Sequence, residues 1–387
     1  MDLDHILTHL GEERQHYFNA VSPPIIQSSN FVFDTLDDFR SAINNELTSH
    51  IYTRGNNPTV AILRKKVAAL EGAEDALIFG SGCGAISSAI IGCVKAGDHI
   101  ICVKAPYSWT SKLLLEFLAR FGVTHTFVDG RDVANIEAAI QPNTRLLYLE
   151  SPNSITFELQ DLRACATLAK QHNIITAIDN SYCSPIFQNP IALGIDLVIH
   201  SGTKYLNGHS DVVVGTLCGS QQLIQQIFDS EYMTLGGVIS PNDAALVIRG
   251  LRTLALRLKR SDESAHQIVE WLQAHPKVER VIYPFSTDFP QYELAKKQMR
   301  GCGGLFSILL KTNKIAEVEA FFNRLNRFLM AVSWGGHESL VLPFCAFYNI
   351  PGRPDSSVPL NLVRFYIGLE DPQWLIEDLE QGLEGIN

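Results

Sequence analysis

The chain has 387 residues, 46% hydrophobic and 19% charged, the profile of a globular protein long enough for two or more domains. Its formal net charge of -10, with no basic run, excludes a nucleic-acid backbone as the main partner, and no apolar run is long enough to span a bilayer. The opening residues carry Asp2 and Asp4 and no cationic segment, so a secretory leader is not expected and the protein is expected in the cytoplasm. Eight scattered cysteines form no C-x-x-C pair. Cys93, Cys102, Cys165 and Cys218 lie in apolar runs and read as reduced core residues.

Residues 1–56 read as an arm. Pro23 and Pro24 hold the chain extended, and 30–33 is a short strand or extended piece. Gly55, Asn56, Asn57 and Pro58 make a turn, after which Thr59 is the expected N-cap of a helix over 60–71. Tyr52 and Arg54, two apart in an extended segment, point the same way and could clamp a phosphate; a plain surface turn is the alternative.

Residues 57–245 alternate short apolar strands with helices. Strands are expected at 76–79, 99–103, 124–127, 146–149, 174–178, 197–199 and 212–217. This is the pattern of an α/β domain with a mostly parallel sheet, whose ligand edge is formed by the C-terminal ends of the strands. Four features fall at those ends. The first is the turn Gly80-Ser81-Gly82-Cys83-Gly84, which offers backbone N–H groups to a phosphate. A dinucleotide site would need an acid ending the next strand, but that strand runs into Lys104-Ala105-Pro106. The second is Tyr107, just beyond that strand, which could stack on a planar ring or serve as an ordinary structural aromatic. The third is Asp179, an acid ending an apolar strand, which needs a cation partner or caps a turn. The fourth is Lys204, in Ser201-Gly202-Thr203-Lys204-Tyr205 after the run 197–199. Desolvated there, it could hold pyridoxal phosphate (PLP) as a Schiff base, with the hydroxyls of Ser201 and Thr203 near the phosphate. A solvated surface lysine has the same local pattern. Taken together, a glycine turn, an aspartate and a lysine fall on strand ends in the order that a PLP site needs.

Residues 246–387 read as a smaller α+β domain. Ser240-Pro241 starts a helix carrying Val247, Leu251, Leu254 and Leu258 and running toward Trp271, with a bend near Ser261. Strands follow at 278–283, 304–310, 330–333 and 362–368, with helices near 315–326 and 371–385 and a loop at 354–357. Arg364 interrupts an apolar strand and needs an anion, either a substrate carboxylate or a structural partner. Ser333 and Trp334 end another strand of this domain and could line the same cavity. No metal site is expected: His5 with His9, and His200 with His209, lack a supporting cluster at ligand spacing.

The whole chain resembles the cystathionine γ-synthase/β-lyase family, the Cys/Met metabolism group of PLP enzymes of fold type I. The motifs that carry the resemblance are Tyr52-Thr53-Arg54-x-x-Asn57-Pro58-Thr59, Ser81-Gly82-Cys83-Gly84-Ala85, Glu150-Ser151-Pro152, Ala177-Ile178-Asp179-Asn180 and Ser201-Gly202-Thr203-Lys204-Tyr205-Leu206-x-Gly208-His209-Ser210-Asp211. Arg249-Gly250-Leu251-Arg252-Thr253-Leu254 and Ser333-Trp334-Gly335-Gly336-x-Glu338-Ser339-Leu340 extend it toward the C-terminus. The resemblance implies an aspartate aminotransferase type fold with pyridoxal 5'-phosphate as cofactor. It implies that Lys204 bears the cofactor and moves protons, that Asp179 pairs with the pyridine nitrogen, and that Gly82, Cys83, Ser201 and Thr203 hold the phosphate. Tyr107 would stack on the ring, Tyr52 and Arg54 would reach the phosphate of a neighbouring subunit, and Tyr52 or Tyr107 would assist the chemistry. Arg364 and Ser333, with Trp334 beside them, would bind the carboxylate of an amino-acid substrate. A homotetramer built as a dimer of dimers is implied as well. Within the family, Glu150-Ser151-Pro152-Asn153-Ser154-Ile155-Thr156-Phe157-Glu158 and Trp334 resemble cystathionine β-lyase. That enzyme eliminates homocysteine from L-cystathionine and leaves pyruvate and ammonia. The alternative is a γ-replacing or γ-eliminating relative: a cystathionine γ-synthase, a γ-lyase or an O-acyl-homoserine sulfhydrylase. Many relatives have Asn-Pro where this chain has Ser154-Ile155, and Cys83 replaces a common methionine.

Overall fold

Seven short apolar segments form the larger sheet: β1 (Asp75–Phe79), β2 (His99–Val103), β3 (Thr124–Val128), β4 (Thr144–Glu150), β5 (Ile175–Asp179), β6 (Leu197–Ser201) and β7 (Gly215–Gly219). This computed structural model describes residues 1–351 and 356–386, so Pro354 and Asp355 of the expected 354–357 loop lie outside the described residues. The strand order is β1-β7-β6-β5-β4-β2-β3, and only β7 runs against its neighbours. Alternate residues of β4 feed opposite faces: Leu147 and Leu149 join one apolar cluster, Leu146 and Tyr148 the other. Burial on both faces is why these strands read as continuous apolar runs. Because β1, β2, β4, β5 and β6 share a direction, their C-terminal ends meet at one edge.

The second sheet contains β8 (Val278–Ile282), β9 (Leu305–Leu310), β10 (Leu329–Met330), β11 (Leu340–Pro343) and β12 (Leu362–Tyr366), in the order β10-β11-β12-β9-β8. The sequence pattern missed β11, only four residues long and closed by a proline. The strand expected at 330–333 stops at Met330, and Ser333 takes a left-handed φ of 80° that strand geometry does not allow.

Two further expectations are corrected. The helix Pro58–Glu71 is capped by Asn57, whose side chain accepts the Thr59 N–H, and not by Thr59. Pro58 fills the first helical position, where no N–H is needed, and the Thr59 hydroxyl instead accepts the Ile26 N–H at 3.0 Å. The long helix divides into Pro241–Leu251 and Leu254–Ala274, so the break falls at Arg252-Thr253 and not near Ser261. At the break the Gly250 carbonyl accepts both the Thr253 N–H and the Arg257 guanidinium, which also donates to the Tyr205 carbonyl.

The first residues of the arm are anchored. Ile6 and Leu7 are buried, and the fully buried amine of Lys66 donates to their carbonyls while pairing with Glu12. Glu12 also meets Arg14 and Arg252. Beyond this anchor the arm is open: Phe18, Val21, Val32 and Leu36 are all exposed, and one isolated bridge joins Asn30 to Tyr52. Removing the Glu12 carboxylate strands a buried ammonium, so Glu12→Ala should cost about 3–5 kcal/mol of stability in urea denaturation. A change below about 1 kcal/mol would mean that the pair does not anchor the arm.

Candidate active site

Lys204 lies in the turns that follow β6, with its N–H on the Ser201 carbonyl and its own carbonyl taken by Gly208 N–H. Its amine donates to the Ser333 hydroxyl and sits 5.6 Å from the centre of the Trp334 ring. Burial, reinforced by the charge of Arg364, lowers its proton affinity to about 8, against the opposing pull of Asp179. Gly335 has φ +90°, and a Cβ there would come within 2.8 Å of the Lys204 backbone, so only glycine lets the Ser333–Gly336 segment press against the lysine.

Asp179 is buried at the end of β5. One carboxylate oxygen accepts both the N–H and the hydroxyl of Ser181, and the Ser181 hydroxyl in turn accepts the Ser201 N–H at 2.6 Å. Burial raises its proton affinity, while the Ser181 bonds and the charges of His200 and Lys204 act to keep it ionised.

The glycine turn opens the helix Gly82–Ile91, with Ser81 as N-cap. A Cβ on Gly82 would lie 2.9 Å from the Ser201 Cβ, so the helix start and the end of β6 are in direct apposition. The Gly82 and Cys83 amides at the helix N-terminus and the Ser201 hydroxyl thus border one small region. The Thr203 hydroxyl is already engaged, donating to the Val214 carbonyl and accepting the Val214 N–H.

Tyr107 follows β2 as expected, half exposed, with its hydroxyl 4.0 Å from the Cys83 sulfur. Burial first, then neighbouring Cys83, Asp179 and Glu150, push the phenol up to about 12, so it stays protonated at neutral pH. Arg364, in the middle of β12, is 8% exposed; it donates to the Ser154 carbonyl at 3.0 Å and the Ser333 carbonyl at 3.4 Å. Among the described residues it has no carboxylate partner. Trp334 is buried edge-on against Tyr205. Tyr52 forms the bridge to Asn30 and Arg54 lies in the turn that follows it, with the guanidinium 5.5 Å from the Tyr52 ring; among the described residues no hydrogen bond joins them to the Lys204 cluster. The carboxyl of Glu150, the hydroxyl of Ser181 and the carbonyl of Ser154 also belong to the site, and the sequence reading gave them no role. The signal for Glu150 was present: it ends an apolar strand as Asp179 does.

Among the described residues, no group of three or more His, Cys, Asp and Glu side chains could hold a metal ion, and no helix is long and apolar enough to cross a membrane. The family model for Cys/Met metabolism PLP-dependent enzymes matches residues 4–384. The chain belongs to this family. It is 40% identical over 382 residues to an L-methionine gamma-lyase of Porphyromonas gingivalis, covering 97% of this chain and 96% of the relative. It is 37% identical over 385 residues to a cystathionine gamma-lyase of Bos taurus, covering 98% and 93%. The crystal structure of metB from Corynebacterium glutamicum superposes with a TM-score of 0.93 at 33% identity, covering 100% of this chain and 99% of that one. Pyridoxal 5'-phosphate is therefore the cofactor, and a fold type I PLP enzyme is the architecture.

The residues present fit that group. A helix N-terminus and a serine suit a phosphate, a buried carboxylate suits a pyridinium nitrogen, and an amine of lowered proton affinity suits an aldehyde. Only the uncharged amine attacks an aldehyde, so deprotonation speeds capture. The rate of PLP capture by apoprotein, followed by absorbance, should rise with pH to a midpoint near 8 and then level off. An unperturbed lysine would keep rising toward its ordinary value of 10.5, and that outcome would contradict the desolvated amine.

Proposed function

We propose that the chain is a carbon–sulfur lyase that cleaves the side chain of a sulfur amino acid by elimination. The observation that carries this reading is Arg364: a buried guanidinium with two carbonyl acceptors and no carboxylate, beside the Lys204 amine. A buried cation of this kind calls for an anion, and an α-carboxylate suits its planar fork. The Ser333 hydroxyl, held on the Lys204 amine, helps to receive the same carboxylate. Lys204, Asp179, Gly82, Cys83 and Ser201 would hold PLP, with Tyr107 against its ring; the occupied hydroxyl of Thr203 leaves that residue a supporting part. Bound PLP supplies an electron sink for the charge left on the substrate Cα. The Lys204 Nζ removes the Cα proton and, where the sulfur leaves from Cγ, the Cβ proton as well. The Tyr107 hydroxyl, still protonated at neutral pH, delivers a proton to the departing sulfur. Trp334 closes the apolar side of the site and limits water near the amine.

Similarity along the full chain to methionine and cystathionine γ-lyases supports γ-elimination, which yields 2-oxobutyrate. A second reading is α,β-elimination of L-cystathionine to homocysteine, pyruvate and ammonia. The loop from Glu150 to Glu158 and the tryptophan at position 334 support it. We also propose a cytoplasmic homo-oligomer, a tetramer made as a dimer of dimers, in which the open arm carries Tyr52 and Arg54 to a neighbouring subunit's phosphate. The exposed Phe18, Val21 and Val32 support that docking.

Identification of the keto acid formed from L-methionine and from L-cystathionine decides the chemistry: 2-oxobutyrate supports γ-elimination and pyruvate the β reading. The absence of both, with PLP bound, would contradict the lyase assignment. Arg364→Leu should lower kcat/KM by about a hundredfold through the loss of a charge-assisted carboxylate contact. An unchanged kcat/KM would remove Arg364 from substrate binding.

A further inference from the structure

Glu150 ends β4 as Asp179 ends β5, and the parallel register sets the two residues side by side. Paired residues of parallel strands face the same way, so two buried carboxyls share one face of the sheet, next to Tyr148. One oxygen of Glu150, Oε2, accepts the backbone N–H of Tyr107 at 2.6 Å. The Ser154 N–H also reaches this carboxyl. A single buried side chain therefore joins the loop after β2, which carries Tyr107, to the loop after β4, which carries the Ser154 carbonyl that holds Arg364. The titratable groups that face it are Asp179 from β5, Tyr148 from its own strand, Cys102 from β2 and Tyr107 itself, with the Lys204 amine beyond Asp179. All the immediate neighbours are acids, and no ion pair among the described residues relieves it.

We propose that Glu150 is a positioning residue: a buried carboxyl beside Asp179, with its Oε2 fixing the Tyr107 backbone and thereby setting the Tyr107 ring against the cofactor. Burial, and then the charge of Asp179, push the Glu150 carboxyl up to about 8, and the two amide bonds oppose this only in part. In the neutral form, Glu150 adds no negative charge beside Asp179. As pH rises through about 8, Glu150 ionises and places a second negative charge next to Asp179, which changes the electrostatic field at the ring. The inference deepens the assignment of the site as a PLP site and rests on it.

The test compares holoprotein with Glu150→Ala and Glu150→Gln, reading PLP affinity from dissociation and ring orientation from circular dichroism of the bound-cofactor band. Glu150→Ala should bind PLP about tenfold more weakly, with a reduced dichroic band. Glu150→Gln, which keeps an acceptor for the Tyr107 N–H and cannot ionise, should bind within about twofold of the parent. The parent's dichroic band should change with a midpoint near pH 8, and Glu150→Gln should abolish that step. Parent-like affinity and dichroism in Glu150→Ala would overturn the inference. If Glu150→Ala does not fold, persistence of the pH step in Glu150→Gln would overturn it equally. Failure of the parent protein to bind PLP would instead overturn the assignment of the site.

Discussion

An amine placed away from water and near a guanidinium cannot hold its proton at the usual affinity, and the rest of this site is arranged around that constraint. Lys204 is pressed by burial and by Arg364, and Asp179, with Cys83 after it, pulls the other way. Asp179 is kept available by Ser181, which also ties the end of β5 to the start of the lysine loop through the Ser201 N–H. The electrostatics and the sheet edge are thus one construction: parallel strands bring the charges to one place, and short hydrogen bonds between strand ends hold them there.

The smaller sheet completes what the larger one starts. Arg364 on β12 reaches across to the Ser154 carbonyl, and Ser307 on β9 donates to the Ile155 carbonyl of the same loop. The Ser333–Gly336 segment, which follows β10, holds two residues at positive φ, Ser333 and Gly335, on either side of Trp334. That backbone is held in place by contacts to Lys204 and Arg364, where local strain is compensated by the surroundings. The proposed substrate contact, the reactive amine and the packing of the two sheets therefore depend on the same few atoms, and a change in any of them should be felt in the others.

Much of this was legible in the sequence, for physical reasons that differ by residue. Lys204 and Asp179 stood out because a buried strand has an apolar signature and a charge at its end is conspicuous. Arg364 stood out in the same way inside β12. The Glu150 carboxyl obeys the rule that exposed Asp179, yet its partner is a backbone N–H 43 residues away, which no local pattern reveals. The cap at Asn57 was legible in the proline that follows it, whereas the break at Arg252-Thr253 and the four-residue β11 depend on a guanidinium contact to Gly250 and on pairing partners that no apolar pattern reveals. The sequence expected an extended segment at Tyr52 and Arg54; Tyr52 is bridged to Asn30 and Arg54 lies in the turn after it, with the guanidinium 5.5 Å from the Tyr52 ring.

The central claim is that the Lys204 amine bears the cofactor. Borohydride reduction of PLP-loaded protein, followed by peptide mapping, tests it most directly. The account predicts one pyridoxyl adduct, on the peptide containing Lys204. An adduct on another lysine, or none in protein that visibly binds PLP, would contradict it.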